Sequence, residues 1–288
     1  MSSLSVSPAR VSSALLVLAG VLWGTGGLVG TMLQAAAGIS PVAVASYRLL
    51  VGGVLVTAVV FPRLSCLWNR GALVRLVFSG VLLGGFQAAY QVAVAQISVS
   101  LATLITIGCV PVFVATVGAL RERRVPGRRT TLVIGASVVG LVLLCGGPSG
   151  VDGWRVASGV TMSLLAGAGF AVLTLVTSGQ HVITSVGLLL GGVLLVPFAG
   201  GMGIPLNGTV LGLVGFLGIV PTAIAYGAFF LGLRHAHPTA AALATMLEPL
   251  TATALAVALN GERLSLAGVL GSLLISGALA LYYLAPES

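Results

Sequence analysis

The sequence predicts an all-α membrane protein of ten transmembrane helices, arranged as two inverted five-helix repeats. Three observations carry that reading. Hydrophobic residues fill 58% of the 288 positions and charged residues only 6%, whereas a soluble domain carries roughly a quarter charged residues, so no water-facing surface can be assembled from this composition. Apolar stretches of about 17 to 25 residues recur from end to end, each long enough to cross a hydrocarbon core of about 30 Å as a helix. One short segment also occurs twice, as RLLVGGVL at 48–55 and GLLLGGVL at 187–194.

Reading apolar windows against their polar breaks gives the elements in order. The first copy, 12–147, supplies spans at 12–33, 41–62, 73–95, 98–120 and 131–147; the second, 156–284, supplies 156–177, 183–200, 208–232, 238–259 and 265–284. The first window follows Arg10 and ends near Ala35-Ala36-Ala37, the outline of a signal peptide. It is longer than a signal h-region, and the repeat requires it, so it stays a span. None of the ten alternates apolar and polar residues as a barrel strand does, so all are helices. The 41 glycines read as packing, because small residues let helix backbones approach in a bilayer.

The formal charge of +8 comes from 13 arginines and no lysine against five acids. Most arginines sit between the apolar windows and act on topology, not as a nucleic-acid surface. With a cytoplasmic N-terminus, Arg10, Arg63, Arg70, Arg75, Arg121, Arg123, Arg124, Arg128, Arg129 and Arg234 fall inside, against Arg155 and Arg263 outside. That bias predicts a multi-pass protein of the cytoplasmic membrane with both termini cytoplasmic. Cys66, Cys109 and Cys145 are scattered and odd in number, which excludes a disulfide framework and leaves small apolar residues.

The duplication extends beyond the shared octapeptide. Leu18-Ala19-Gly20 followed by Trp23 matches Leu165-Ala166-Gly167 followed by Phe170, and Ala89-Tyr90 matches Ala225-Tyr226. CVP at 109–111 corresponds to LEP at 247–249, each followed by a Glu-Arg pair, Glu122-Arg123 and Glu262-Arg263. Because five is odd, the second copy enters the membrane from the opposite side. Halves related in this way can exchange roles, which is how many secondary transporters alternate between two faces.

These residues carry a resemblance. Ten helices in two copies, LWG at 22–24, a second helix running Pro41 to Arg48, and proline followed by Glu-Arg near the end of each copy resemble an EamA-type member of the drug/metabolite transporter superfamily. The resemblance covers residues 12 to 284 and rests on the order and duplication of weak motifs. The first copy departs in places: Gly135 and Gly140 are five apart where Gly271 and Gly277 are six apart, and Pro111 to Glu122 is shorter than Pro249 to Glu262. The segment from His237 through Glu262 is similar to the branch that includes threonine and homoserine exporters. The resemblance implies a secondary transporter, an exporter of a small metabolite such as an amino acid, using no cofactor.

Several residues can carry such chemistry. Glu248 lies some 15 Å deep at 1.5 Å per residue, and its repeat counterpart is Val110. A charge at that depth marks a substrate path, a proton relay or a buried ion pair; otherwise the carboxyl is protonated and bonds a neighbouring helix. Arg48 lies about 10 Å in from the outer end of its span, with Gly187 as its counterpart. It either binds a ligand or a counter-charge, or snorkels to the interface. Gln87, Tyr90 and Gln91 share one helical face, lining a cavity or bonding helices together. Tyr226 and Trp23 are candidate cavity aromatics or packing residues. Pro111 and Pro249 withdraw a donor from the carbonyls of Ile107 and Thr245, so matching helix breaks are expected there, shaping either a binding site or packing alone. Pro221 kinks the eighth span.

The competing classes each lack a signature. An enzyme needs a nucleophile and base, paired carboxylates or a metal cluster at depth, and no such set, HExxH or GxSxG occurs. No metal-ligand spacing is present; His181, His235 and His237 fall at inner span ends. A channel calls for a filter or charged rings. Secondary transport of a small-molecule substrate across the bilayer is the favoured reading. Without a nucleotide-binding loop, its energy comes from a proton gradient or from exchange. A multidrug or other solute permease is the alternative, and an intramembrane enzyme or channel comes behind it. Oligomeric state is left open.

Overall fold

The computed structural model describes residues 8–63, 69–97, 99–123, 126–145, 153–177, 180–201, 203–260 and 266–284. Those residues form ten helical segments: α1 (Pro8–Ala37), α2 (Pro41–Val60), α3 (Arg70–Gln96), α4 (Val99–Glu122), α5 (Arg128–Cys145), α6 (Gly153–Val176), α7 (His181–Leu195), α8 (Gly208–Gly232), α9 and α10 (Leu266–Leu284). The ninth is divided into α9a (Pro238–Ala244) and α9b (Leu247–Asn260). Five helices, α1, α2, α3, α6 and α8, are long and apolar enough to cross a membrane, and shorter apolar stretches lie in α4, α7 and α10. Arg124 and the Glu262-Arg263 pair lie outside the described residues.

Helix starts are chemically marked. Ser40, Asn69 and Asn207 each accept a backbone N–H from the first turn of α2, α3 and α8. His237 does the same for α9a ahead of Pro238. Each cap satisfies a donor that has no intrahelical partner, a requirement that lipid makes strict. The outer surface is apolar: Val59, Phe61, Val74 and Leu273 are exposed, as side chains solvated by lipid can be.

Packing is paired under exchange of the two sets of five helices. α2 packs on its own counterpart α7, and α5 on α10; α3 on α6 is answered by α8 on α1, and α4 on α6 by α9 on α1. The duplicated glycines make the close approaches. A Cβ on Gly53 would lie 2.5 Å from the Leu189 backbone, and one on Gly192 would lie 2.8 Å from the Leu50 amide. Glycine is required at both positions because backbone sits where a side chain would.

Two prolines behave unlike the sequence expectation. α4 runs through Pro111 as one helix, so the matching breaks expected in both copies are not formed. The second copy breaks at Thr245–Met246, ahead of Pro249. The physical reason is position: Pro249 falls in the first turn of α9b, where backbone N–H groups have no intrahelical partner and the missing donor is not needed. The Thr245 carbonyl is therefore not freed, because it accepts the Glu248 N–H at 3.0 Å. Pro221 acts as expected. It sits in a π turn, Ile219–Ile224, and the carbonyl that its absent N–H would have served, Leu217, accepts the Thr222 hydroxyl at 2.7 Å instead.

Candidate functional site

The polar residues of the helix interior converge. Trp23, Arg48, Gln87, Tyr90, Gln91, Tyr226, Thr245 and Glu248 all line one cavity enclosed by α1, α2, α3, α4, α6, α8 and α9. It is narrow in this conformation, with a volume of about 40 Å³ open to the centres of water-sized molecules. Pro111 and Pro249, the two helix-break residues, do not line it.

The cavity has a closed end and an open direction. At the closed end Trp23 meets Phe170 with ring centroids 5.6 Å apart and planes at 83°, and contacts Tyr226 and Phe229 at 5.1 Å each. Phe86 extends this aromatic floor from α3 to Phe170 at 5.1 Å. From there the lining runs along α1 through Gly27 and Thr31 to Gln34, near the α1 end at Ala37, and along α3 to Val94, near the α3 end at Gln96.

Arg48 is buried, 7% exposed, and does not snorkel. Its Nε donates to Thr222 Oγ1 at 3.3 Å, and one Nη2 hydrogen makes a long bond to the Pro221 carbonyl at 3.4 Å. The π turn of α8 thus holds the guanidinium from behind. Of five N–H donors, those of Nη1 and one of Nη2 have no protein acceptor among the described residues. Gly26 leaves room beside them, since a Cβ there would lie 3.6 Å from Nη2.

Glu248 sits in the first turn of α9b, so its carboxylate lies at the positive end of a half-helix dipole, which stabilises negative charge. Gly24 permits α1 to approach at this point, where a Cβ would lie 2.6 Å from the Glu248 carbonyl. Glu248 and Arg48 face the same cavity, yet among the described residues neither forms an ion pair within 4.0 Å. Opposite charges held apart across a cavity leave both available to a solute.

The neutral groups repeat that pattern. Gln87 Nε2 donates to the Tyr226 hydroxyl at 2.8 Å, while its Oε1 is buried without a partner. Either orientation of the amide leaves one end unmatched. Trp23 Nε1 is likewise buried with no acceptor. Tyr90 is satisfied by Thr103 Oγ1 at 2.6 Å. Buried polar atoms normally find partners, so Gln87 Oε1 and Trp23 Nε1 are exceptions, and both belong to residues that line the cavity.

Sequence reasoning missed Thr31, Gln34 and Thr106, all of which line the cavity. Thr31 and Gln34 had a signal. With Trp23, Gly27 and Gly30 they form one small-and-polar stripe of α1 at helical spacing.

A family model for EamA-like transporters matches residues 11–146 and again residues 154–284. The chain belongs to the EamA-like transporter family. This EamA-like chain is 28% identical over 287 residues to Uncharacterized transporter YwfM of Bacillus subtilis (strain 168), with 96% of this chain and 95% of that protein covered. It also resembles a protein of known crystal structure at a TM-score of 0.80 and 19% identity, covering 96% and 97% of the two chains, a likeness that bears on the fold alone. As an EamA-like transporter it is a multi-pass membrane protein that moves a small solute across the bilayer.

Proposed function

We propose that this transporter is a ten-span secondary carrier whose two halves, 12–147 and 156–284, are inverted repeats, and that it exports a small zwitterionic metabolite such as an amino acid by alternating access. The observation that carries the reading is the placing of Arg48 and Glu248 on one cavity without an ion pair between them. A carboxylate on the solute completes the Arg48 fork in a bidentate way. An amine on the solute completes Glu248, and the orphan Gln87 and Trp23 groups take its remaining polar atoms.

The arginine bias makes the open end of the cavity extracellular, with both termini cytoplasmic. The aromatic floor then closes the cytoplasmic side, and exchange of roles between the halves supplies the opposite state. Proton and solute amine are alternative occupants of the Glu248 carboxylate, so a proton gradient, or exchange against a second solute, can drive the cycle. A second reading, a permease for hydrophobic drugs, draws support from the aromatic lining by Trp23, Phe86, Tyr90, Phe170 and Tyr226.

The test is a thermal-shift screen of purified protein against amino acids, other metabolites and apolar cations, followed by counterflow in proteoliposomes with whatever stabilises it. Zwitterions that raise the melting temperature and are exchanged support the first reading. Stabilisation by apolar cations alone reassigns the transporter to the second.

A further inference from the structure

A second concavity lies away from the cavity, on the outer surface between α4 and α5. Val112, Ala115, Thr116, Ala119 and Leu120 form one wall and Ile134 part of the other, with Arg123 and Pro126 at one end; its volume is about 490 Å³. The α4 residues recur at i, i+3, i+4, i+7 and i+8, a single helical stripe. The stripe is not covered by protein, since Leu120 is 74% exposed and Val112 44%. Its polar member is neutralised locally: the Thr116 hydroxyl donates to the Val112 carbonyl at 2.8 Å. The trough therefore offers hydrocarbon along its length.

Its end separates it from the rest of the lipid-facing surface. Residues 121–129 contain five arginines against one glutamate, and Arg121, Arg123 and Arg128 are exposed. Arg129 is anchored, with Nη2 donating to the Leu281 carbonyl of α10. Arg123 has φ of 51°, a left-handed backbone that a side chain disfavours and glycine accepts. An arginine held in that conformation beside an apolar trough points to a use for its charge.

We propose that this groove binds one anionic phospholipid, with an acyl chain along the α4 stripe and the phosphate on Arg123. Arg121 and Arg128 supply the surrounding positive field, which favours an anionic headgroup by about fivefold per arginine near the surface. Charge and shape act together here: the arginines select the headgroup, and the trough selects a lipid over a free anion. The inference is independent of the solute carried.

The test uses the full chain, purified and delipidated in detergent, then titrated with phosphatidylglycerol or phosphatidylethanolamine of identical acyl chains, with bound lipid counted by native mass spectrometry. One phosphatidylglycerol is expected to bind at least tenfold tighter than phosphatidylethanolamine. Ala119→Phe, which fills the trough without changing charge, and Arg123→Gly are each expected to weaken it at least tenfold, against about fivefold for Arg121→Gln. Arg123→Gly also relieves the left-handed backbone, so its melting temperature in lipid-free detergent should be no lower than wild type, which separates lost binding from lost folding. Equal binding of the two lipids, or unchanged binding in Ala119→Phe, overturns the proposal. Displacement of the lipid by inorganic phosphate at millimolar concentration overturns it in favour of a free-anion site.

Discussion

Trp23 and Phe170 hold the same place in their respective copies of the repeat and meet edge to face, ring centroids 5.6 Å apart. In the proposed inverted repeat, residues matched between the copies touch only near the axis that exchanges the halves, which puts the aromatic floor of the cavity close to that axis. A rearrangement that swaps the roles of the halves must repack these rings. Trp23→Ala is expected to destabilise the protein by about 3–5 kcal/mol. Trp23→Phe should preserve most of the packing and lose only the unpartnered N–H. Thermal melting in detergent, compared with ligand affinity, checks the distinction: a destabilised alanine variant, and a phenylalanine variant near wild type in melting but weaker in binding.

The close approach of Gly53 to Leu189, and of Gly192 to Leu50, makes the α2–α7 contact intolerant of any side chain. Gly53→Val should abolish recovery of monodisperse protein, because backbone occupies the space its Cβ needs. Gly85→Ala is the matched control, since nothing lies within 4 Å of a Cβ there; it should be neutral or stabilising by up to about 1 kcal/mol. Size-exclusion profiles and melting curves of the two variants decide it.

For Arg48 the expectation is a loss of affinity that exceeds any loss of stability. Arg48→Gln removes the free Nη donors from the cavity, and Arg48→Lys restores charge without the fork, so rescue should be partial. Calorimetric binding should fall at least tenfold in the glutamine variant, with the melting temperature changed by a few degrees. Wild-type affinity in Arg48→Gln would reduce the residue to a tie between α2 and the π turn.

Orientation is tested by labelling. Single cysteines replacing Pro126 and Asp152, in a background lacking Cys66, Cys109 and Cys145, should react with an impermeant reagent from opposite sides of the membrane. Reaction of both from outside would remove the arginine-based topology, and with it the inverted relation of the halves.

How much of this was legible in the sequence follows from what each feature costs in lipid. The helices were legible because an apolar run of about 20 residues has few other uses. Arg48 and Glu248 were legible because an ionisable group at depth is expensive wherever it points, and both line the cavity. The break at Thr245–Met246 was misplaced because proline disrupts a helix interior but is accepted in a first turn, and only the structure tells which of the two Pro249 occupies. Thr31 and Gln34 were overlooked because polar residues near a helix end read equally well as interfacial; their role depends on the rotation of α1 against its neighbours, which packing sets. The Thr222 hydroxyl, which serves both the Leu217 carbonyl and Arg48, depends on the π form of the turn; Pro221 announced a kink in 208–232 but not its kind.

The central claim is that Glu248 faces the cavity to hold a cation, either the solute amine or a proton. The most direct measurement is flux through Glu248→Gln in proteoliposomes, with and without a pH gradient, beside calorimetric binding. The glutamine keeps the shape and hydrogen-bonding capacity of the side chain and removes only its ability to carry negative charge. Gradient-driven transport is predicted to be abolished; retained exchange would assign the proton role, and loss of exchange and binding together the amine role. Gradient-driven flux and affinity both equal to wild type would contradict the account and leave Glu248 a structural hydrogen-bonding residue.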